Sequence, residues 1–331
     1  MGDILTSQAS SSSTIQERKQ KVYGILAELA ALLEDIPLGV RRFEIGMTLR
    51  QAWFLNGTLF NSEVWSSYSN ADFKLLEVLD RKVLKVILEA HSKTASEMLY
   101  LESGALPIKH VIAVRRLCYL QTILQRDDSE IIKKVYIAQK NNPSKGDWVN
   151  LIKSDMTKYN LNISDELITD MTTLQFKKRV KEKVMEEAFR ELIESKNGHE
   201  KARGIEYKDW VGPQDYMVSS KFSNKLQKIL FNMRCQKTKS FKNNFHTYYN
   251  GDILCPLSCN NEIDSQKHML SCHSLTSLLK PDQRTFLNEV TYSDIFGTTN
   301  DQLNVTLVLQ SLLKIRDRLL ANRPGAGLPG Q

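Results

Sequence analysis

From residue 14 onward the apolar positions recur at helical intervals. Val22, Ile25, Leu26, Leu29, Leu32 and Leu33 fall on one helical stripe that runs to Asp35, and Thr14-Ile15-Gln16-Glu17 has the spacing of a capping box at its start. Pro37 and Gly39 end it. From Arg41 to Trp65 the chain is apolar over much of a helix's circumference (Phe43, Ile45, Leu49, Trp53, Phe54, Leu59, Val64), which predicts a helix buried in the middle of a bundle. Asn70 suits the cap of the next helix, whose core stripe is Phe73, Leu76, Leu79, Val83, Leu84 and Ile87, with Glu77 and Arg81 as an i, i+4 pair on its wet side. Thr94-Ala-Ser-Glu97 opens a short helix closed by Gly104, and Pro107 begins another carrying Ile108, Val111, Ile112, Leu117, Leu120 and Leu124.

Further helices are expected over Asp128 to Lys140, from Asp147 with Trp148, Leu151 and Ile152, and from Thr172 to Ser195 with Gly198 as the stop. In the last of these, Lys177, Lys178, Arg179, Lys181 and Lys183 are largely cancelled by Glu182, Glu186, Glu187, Glu191 and Glu194, the pattern of a solvated face. A final amphipathic helix is expected from about Asp301 to Leu320. The fold class is therefore mainly α. The domains expected are a polar leader over 1–13, a helical bundle over 14–126, a helical connector over 127–200, a basic aromatic linker over 201–250, a Cys/His module over 251–280, a helical segment over 281–322 and a tail over 323–331.

Composition narrows the class. The 331 residues are 41% hydrophobic and 25% charged, enough apolar mass for buried cores. No run of eighteen apolar residues occurs and the N-terminus lacks the order of a signal peptide. No membrane partner is expected, and an intracellular place, nucleus or cytoplasm, is. An odd count of five cysteines fits a reducing compartment and metal binding better than disulfides.

The net charge of +7 is unevenly spread. Residues 201–250 hold ten Lys and Arg against three acids, an excess equal to that of the whole chain. Within it, Lys221, Lys225, Lys228 and Arg234 accompany an apolar helix face of Phe222, Leu226, Ile229, Leu230, Phe231 and Met233. Beyond them Lys237, Lys239 and Lys242 interleave with Phe241, Phe245, Tyr248 and Tyr249. Cations hold phosphates and aromatic faces stack on bases, so these residues suit a nucleic-acid surface for RNA, DNA or a hybrid. They equally suit a basic helix whose aromatics pack onto the module that follows.

That module, CPLSCNNEIDSQKHMLSC, spaces Cys255, Cys259, His268 and Cys272 as three thiols and an imidazole, with the last two an i, i+4 pair on a short helix. Such a set closes a structural Zn²⁺ tetrahedron. The plainer reading is three buried cysteines, and His273 is the alternative ligand. A closed site of this kind leaves no open position for catalysis. Asp127-Asp128 is similar to a polymerase aspartate pair but sits at a helix end, where it reads as punctuation. Pro281-Asp282 lacks the downstream acid-x-Lys of a nuclease. Neither a phosphate-cradling Gly-rich loop nor a Gly-x-Ser-x-Gly elbow is present.

Taken in order, Gly2-Asp3-Ile4-Leu5, LRQAWFLNGTLFNSEVW, LEVLDRKVLKVIL, EMLYLESGALPIKHVI, RRLCYLQTIL, KGDW, LQKILFNMRCQKTKSFKNNF and CPLSC with QKHMLSC resemble the C-terminal part of reverse transcriptases from non-LTR (LINE-type) retrotransposons, from about residue 2 to 320. The resemblance implies a thumb, a connector and a CCHC module with Cys255, Cys259, His268 and Cys272 as ligands. The fingers and palm with their catalytic aspartates, and either endonuclease type, have no counterpart. It therefore implies a truncated retroelement product that binds template–primer or target nucleic acid and is not itself an enzyme. The alternative expectation is a zinc-stapled helical scaffold for protein partners. That scaffold would use an exposed-looking final helix, or a thumb face around 41–65 or 70–90 freed of its palm.

Overall fold

A computed structural model of the chain describes residues 12–36, 39–66, 70–144, 146–198, 205, 207, 212–237, 254–257, 259, 262–289 and 302–321. Among these residues the structure is helical, and the one β-type pairing is an isolated antiparallel bridge between Leu254 and Ile263. The mainly α fold class is as the periodicity requires.

Helix α1 (Ser12–Glu34) packs along α3 (Asn70–Ile87), with α2 (Val40–Leu49) beside both. Thr14 does not cap α1. It lies inside the helix and is buried. The apolar stretch expected as one helix over 41–65 is α2, a π-helical segment Arg50–Leu55, one further turn Asn56–Thr58 and a 3₁₀ turn Ser62–Val64. The π segment turns Arg50, Phe54 and Leu55 inward together, and Arg50 then reaches Asp80 on α3 at 2.7 and 2.8 Å. Gly46 on α2 crosses Ile87 so closely that a Cβ there would stand 2.7 Å from the isoleucine Cγ2.

The ends of α1 and α3 are closed by an arginine. Arg42 donates to the carbonyls of Leu33, Ile36, Val86 and Ile87, satisfying the orphan C-terminal carbonyls of two helices at once. Arg18 does similar work for Thr58 and Phe60 while its guanidinium lies 5.3 Å from the Trp65 ring centroid. Helix α4 (Ser96–Ser103) has six consecutive buried residues, Met98 to Ser103, and Gly104 ends it at φ 67°.

Two cores result, and two helices belong to both. Helix α5 (Ile108–Leu124) gives Ile108 and Ile112 to the first core and Leu117 and Leu120 to the second. The second core also takes Tyr136 of α6 (Ile131–Asn141), Ile152 of α7 (Trp148–Lys158) and Ile168 of α8 (Asp165–Asp170). Helix α9 (Thr173–Gly198) starts with a true capping box, since Thr172 and Gln175 exchange side-chain hydrogen bonds with each other's backbone N–H at 3.0 and 3.2 Å. Its apolar line of Phe176, Val180 and Val184 enters the second core, and Ala188 and Leu192 continue it into the first. Lys178 pairs with Glu182, Lys183 with Glu186 and Arg190 with Glu187 and Glu194, the solvated face that the charge alternation predicts.

The apolar sides of α2, of the turns that follow it and of α3 are covered: Phe43, Phe54, Leu59, Leu76, Leu79, Val83 and Leu84 are all buried. The thumb face expected to lie free around 41–65 or 70–90 is thus inside the first core, apart from single exposed residues such as Phe60 and Val78. No helix among the described residues is long and apolar enough to cross a membrane.

Candidate metal centre

The Cys/His module is folded onto the bundle by its own short elements. Cys255 N donates to Glu262 O at 2.7 Å and Glu262 N to Cys259 O at 2.8 Å, so the chain turns back on itself and carries the first cysteine pair on the turn. Ser265 caps α12 (Gln266–Ser271) by accepting from His268 N at 3.0 Å. Cys272 then stands between α12 and α13 (His273–Thr276), its carbonyl accepting from the N–H of Leu275 and of Thr276.

This local folding brings one ligand atom from each of Cys255, Cys259, His268 and Cys272 within 4.8 Å of the others. Cys259 Sγ lies 3.3 Å from Cys272 Sγ and 3.6 Å from Ser274 Oγ. Cys255 and Cys272 are buried, and His268 Nε2 is buried without a hydrogen-bond partner among the described residues. Burial pushes the Cys255 and Cys272 thiols above their ordinary values. Burial acts the same way on Cys259, but hydrogen bonds from Ser274, Cys272 and Cys255 outweigh it and hold that thiol lower. Crowded sulfurs and an orphaned imidazole nitrogen are what a cation would satisfy, because it lets several thiolates coexist. The four residues could therefore hold a metal ion. His273, the alternative ligand, is exposed at the start of α13 and outside the group.

Two buried links tie the centre to the rest of the chain. Asp264 accepts a two-pronged ion pair from Arg316 at 2.7 and 2.6 Å, on α15 (Gln302–Ala321). Gln266 Nε2 donates to Met233 O at 2.8 Å, on α11 (Asn224–Arg234). The final helix is not the exposed surface that a scaffold reading expects. Val305, Val308, Leu309 and Leu312 are buried, and it packs on α11 and α13.

The nine expected nucleic-acid contacts have different fates. Lys221 and Lys225 are exposed, and Lys228 is exposed but paired with Glu89 at 2.6 Å. Lys237 is half-buried just past α11. Lys239, Lys242, Phe241 and Phe245 lie outside the described residues. Arg234 is not on a surface at all. It is fully buried and donates to Glu102, itself fully buried, at 2.8 Å, with its guanidinium 4.9 Å from the Tyr207 ring centroid. Tyr207 and Tyr216 donate their hydroxyls to the same carboxylate. A guanidinium held there cannot meet a phosphate. It is an internal strut joining α4, Tyr207, α10 (Asp215–Val218) and α11.

The sequence carried one sign of that strut, a Glu102 placed directly after the apolar run Met98–Leu101. Nothing local marks Arg234 as its partner. Asp127 serves as punctuation, its carboxylate accepting from Ser129 N at 2.8 Å, and Pro281 opens α14 (Pro281–Glu289). Comparison of the chain with known protein families, curated proteins and solved structures finds no match.

Proposed function

We propose that the chain is a nucleic-acid-binding module of the kind found behind the polymerase of non-LTR reverse transcriptases, and that it acts by binding RNA or DNA rather than by catalysis. The four clustered residues then hold a structural zinc ion, and an intracellular, reducing setting keeps the thiols available. The observation that carries the reading is the gathering of Cys255, Cys259, His268 and Cys272 within 4.8 Å of one another, directly after the most basic stretch of the chain. A zinc tetrahedron with ~2.3 Å bonds has edges of roughly 3.8 Å, so the 3.3 Å sulfur pair needs only a small outward shift to accept the ion. With four protein ligands the ion supplies cross-linking and no reaction. Its effect is to hold α12 and α13 against α15, with Lys237 at the point where the basic stretch leaves α11.

Purified protein is expected to carry about one zinc per chain by elemental analysis, with Cys259→Ser lowering that content. RNA binding followed by fluorescence anisotropy is expected to weaken by roughly 10³-fold or more over a fourfold rise in salt if six or more phosphates are neutralised. Binding that ignores salt, or none, overturns the reading.

One observation favours protein partners instead. Helix α6 shows solvent an apolar stripe, with Ile131 80% and Val135 49% exposed. Under that reading Lys237, Lys239 and Lys242 can all become Ala without loss of partner binding. Under the first, nucleic-acid affinity falls.

A further inference from the structure

Three hydroxyls around the candidate metal centre serve the backbone. Ser265 Oγ accepts from His268 N at 3.0 Å, Ser271 Oγ donates to His268 O at 3.3 Å, and Thr276 Oγ1 donates to Cys272 O at 3.1 Å. The hydroxyl of Ser274 has a different partner. Helix α13 takes no side-chain cap, and Ser274 Oγ lies instead 3.6 Å from Cys259 Sγ. Ser274 stands two residues beyond Cys272, so the helix that follows the last of the four candidate ligands reaches back to the second.

Cys259 is the sulfur with most need of that contact. Cys255 and Cys272 are buried, whereas Cys259 is half-buried and open to water. Three thiolates around a dication leave one negative charge over, and a coordinated sulfur keeps lone pairs that accept hydrogen bonds. On a half-buried sulfur, water competes for those lone pairs and for the ion itself, and a fixed protein donor keeps the ligand oriented against that competition. A metal-bound sulfur carries no proton, so across the 3.6 Å contact the Ser274 hydroxyl is then the donor.

We propose that Ser274 is a positioning residue of the metal centre, its hydroxyl donating to the Cys259 thiolate and holding that sulfur in place to ligate zinc. The inference rests on the zinc of the reading above and adds a residue that the Cys/His spacing does not include. Ser274 acts through Cys259 and does not touch the ion, because the four ligands already close the tetrahedron.

The test loads the full chain with Zn²⁺ or Co²⁺ and compares Ser274→Ala with Ser274→Thr, which keeps the hydroxyl. Zinc affinity, measured by competition with a chromophoric chelator, is expected to fall by about tenfold in Ser274→Ala and to stay near wild type in Ser274→Thr. In the cobalt form, the thiolate-to-metal charge-transfer band is expected to move to lower energy in Ser274→Ala alone, because a sulfur relieved of a hydrogen bond gives up its electron more readily. Ser277→Ala removes an exposed hydroxyl at the end of α13 and is expected to change neither readout. Thermal melting checks that each variant folds. Should Ser274→Ala not fold, Ser274→Val against Ser274→Thr makes the same comparison between side chains of matched shape. Unchanged affinity and an unmoved band in Ser274→Ala overturn the role of Ser274 and leave the zinc reading standing. A fall in affinity with the band unmoved, or an equal fall in Ser277→Ala, also overturns it, since a weakened α13 would then explain the effect. A wild-type chain that binds neither ion overturns both.

Discussion

His110 is completely buried on α5, between Tyr159 and Glu191. Burial holds the tyrosine hydroxyl protonated; it shares a hydrogen bond with Nδ1 at 3.1 Å, and Nε2 faces Glu191 at 3.3 Å. Burial is the larger force on this histidine and pushes its pKa down to about 3, against the pull of Glu191 and with the help of Lys109 and Lys158. Glu191, held by the same two lysines against its own burial, is lowered to about 2. Both shifts act with one sign. The unfolded chain takes up protons first as pH falls, so stability present above about pH 6.5 is lost toward pH 3, with the carboxylate adding to the loss below about pH 4.5. The urea midpoint is expected to drop between about pH 7.5 and 5, and His110→Asn is expected to flatten that drop while lowering the midpoint at neutral pH. A wild-type midpoint that rises on acidification would contradict the buried neutral imidazole. Nothing in the sequence marked His110, because its partners lie 49 and 81 residues away.

Periodicity placed most helices, and their ends were read less well than their faces. Gly198 and Gly104 stop helices as expected, and Ser164, Ser223 and Ser265 supply side-chain caps. Thr14 and Thr94 do not: Thr14 lies inside α1, and Thr94 stands before Ala95, the residue at the start of α4, with its hydroxyl unpartnered among the described residues. A capping motif states what a helix start could use, and the packing of the chain before it decides where the start falls. Glycine shows the same division. A Cβ at Gly104 would meet the Gly212 carbonyl carbon at 2.2 Å and the Pro213 nitrogen at 2.3 Å, on top of a left-handed φ. Gly24, in the exposed middle of α1, would meet nothing within 4 Å. Gly104→Ala is therefore expected to destabilise by about 1–3 kcal/mol or more, and Gly24→Ala to stabilise by about 0.5–1 kcal/mol, both measured by urea unfolding. Equal effects at the two sites would show that α4 does not end against the Gly212–Pro213 backbone.

At the scale of the whole molecule the candidate metal centre is part of the first core. Met269 and Leu275 share that core with Met233 and Leu309, and the Asp264–Arg316 pair crosses it. Chelation is therefore expected to act at a distance. If the four residues hold the proposed zinc, hydrogen exchange should quicken over α12, α13 and α15 when a chelator strips it, whereas α6 to α8 in the second core should keep their protection. Uniform loss across both cores would mean that α5 and α9 make the chain a single cooperative unit.

Helical class, the faces of the long helices, the charge cancellation on α9 and the four candidate ligand positions were legible in the sequence. The helix faces and charge pairs depend on residues within about one or two helical turns, where spacing fixes direction, and the four Cys/His positions lie within one eighteen-residue segment. The tertiary structure alone decided which charges stay at the surface. Arg234 left the basic stretch for Glu102, and the α2 and α3 faces closed on their neighbours. Burial is set by contacts between segments distant in sequence, and a run of like residues carries no record of which of them the fold turns inward.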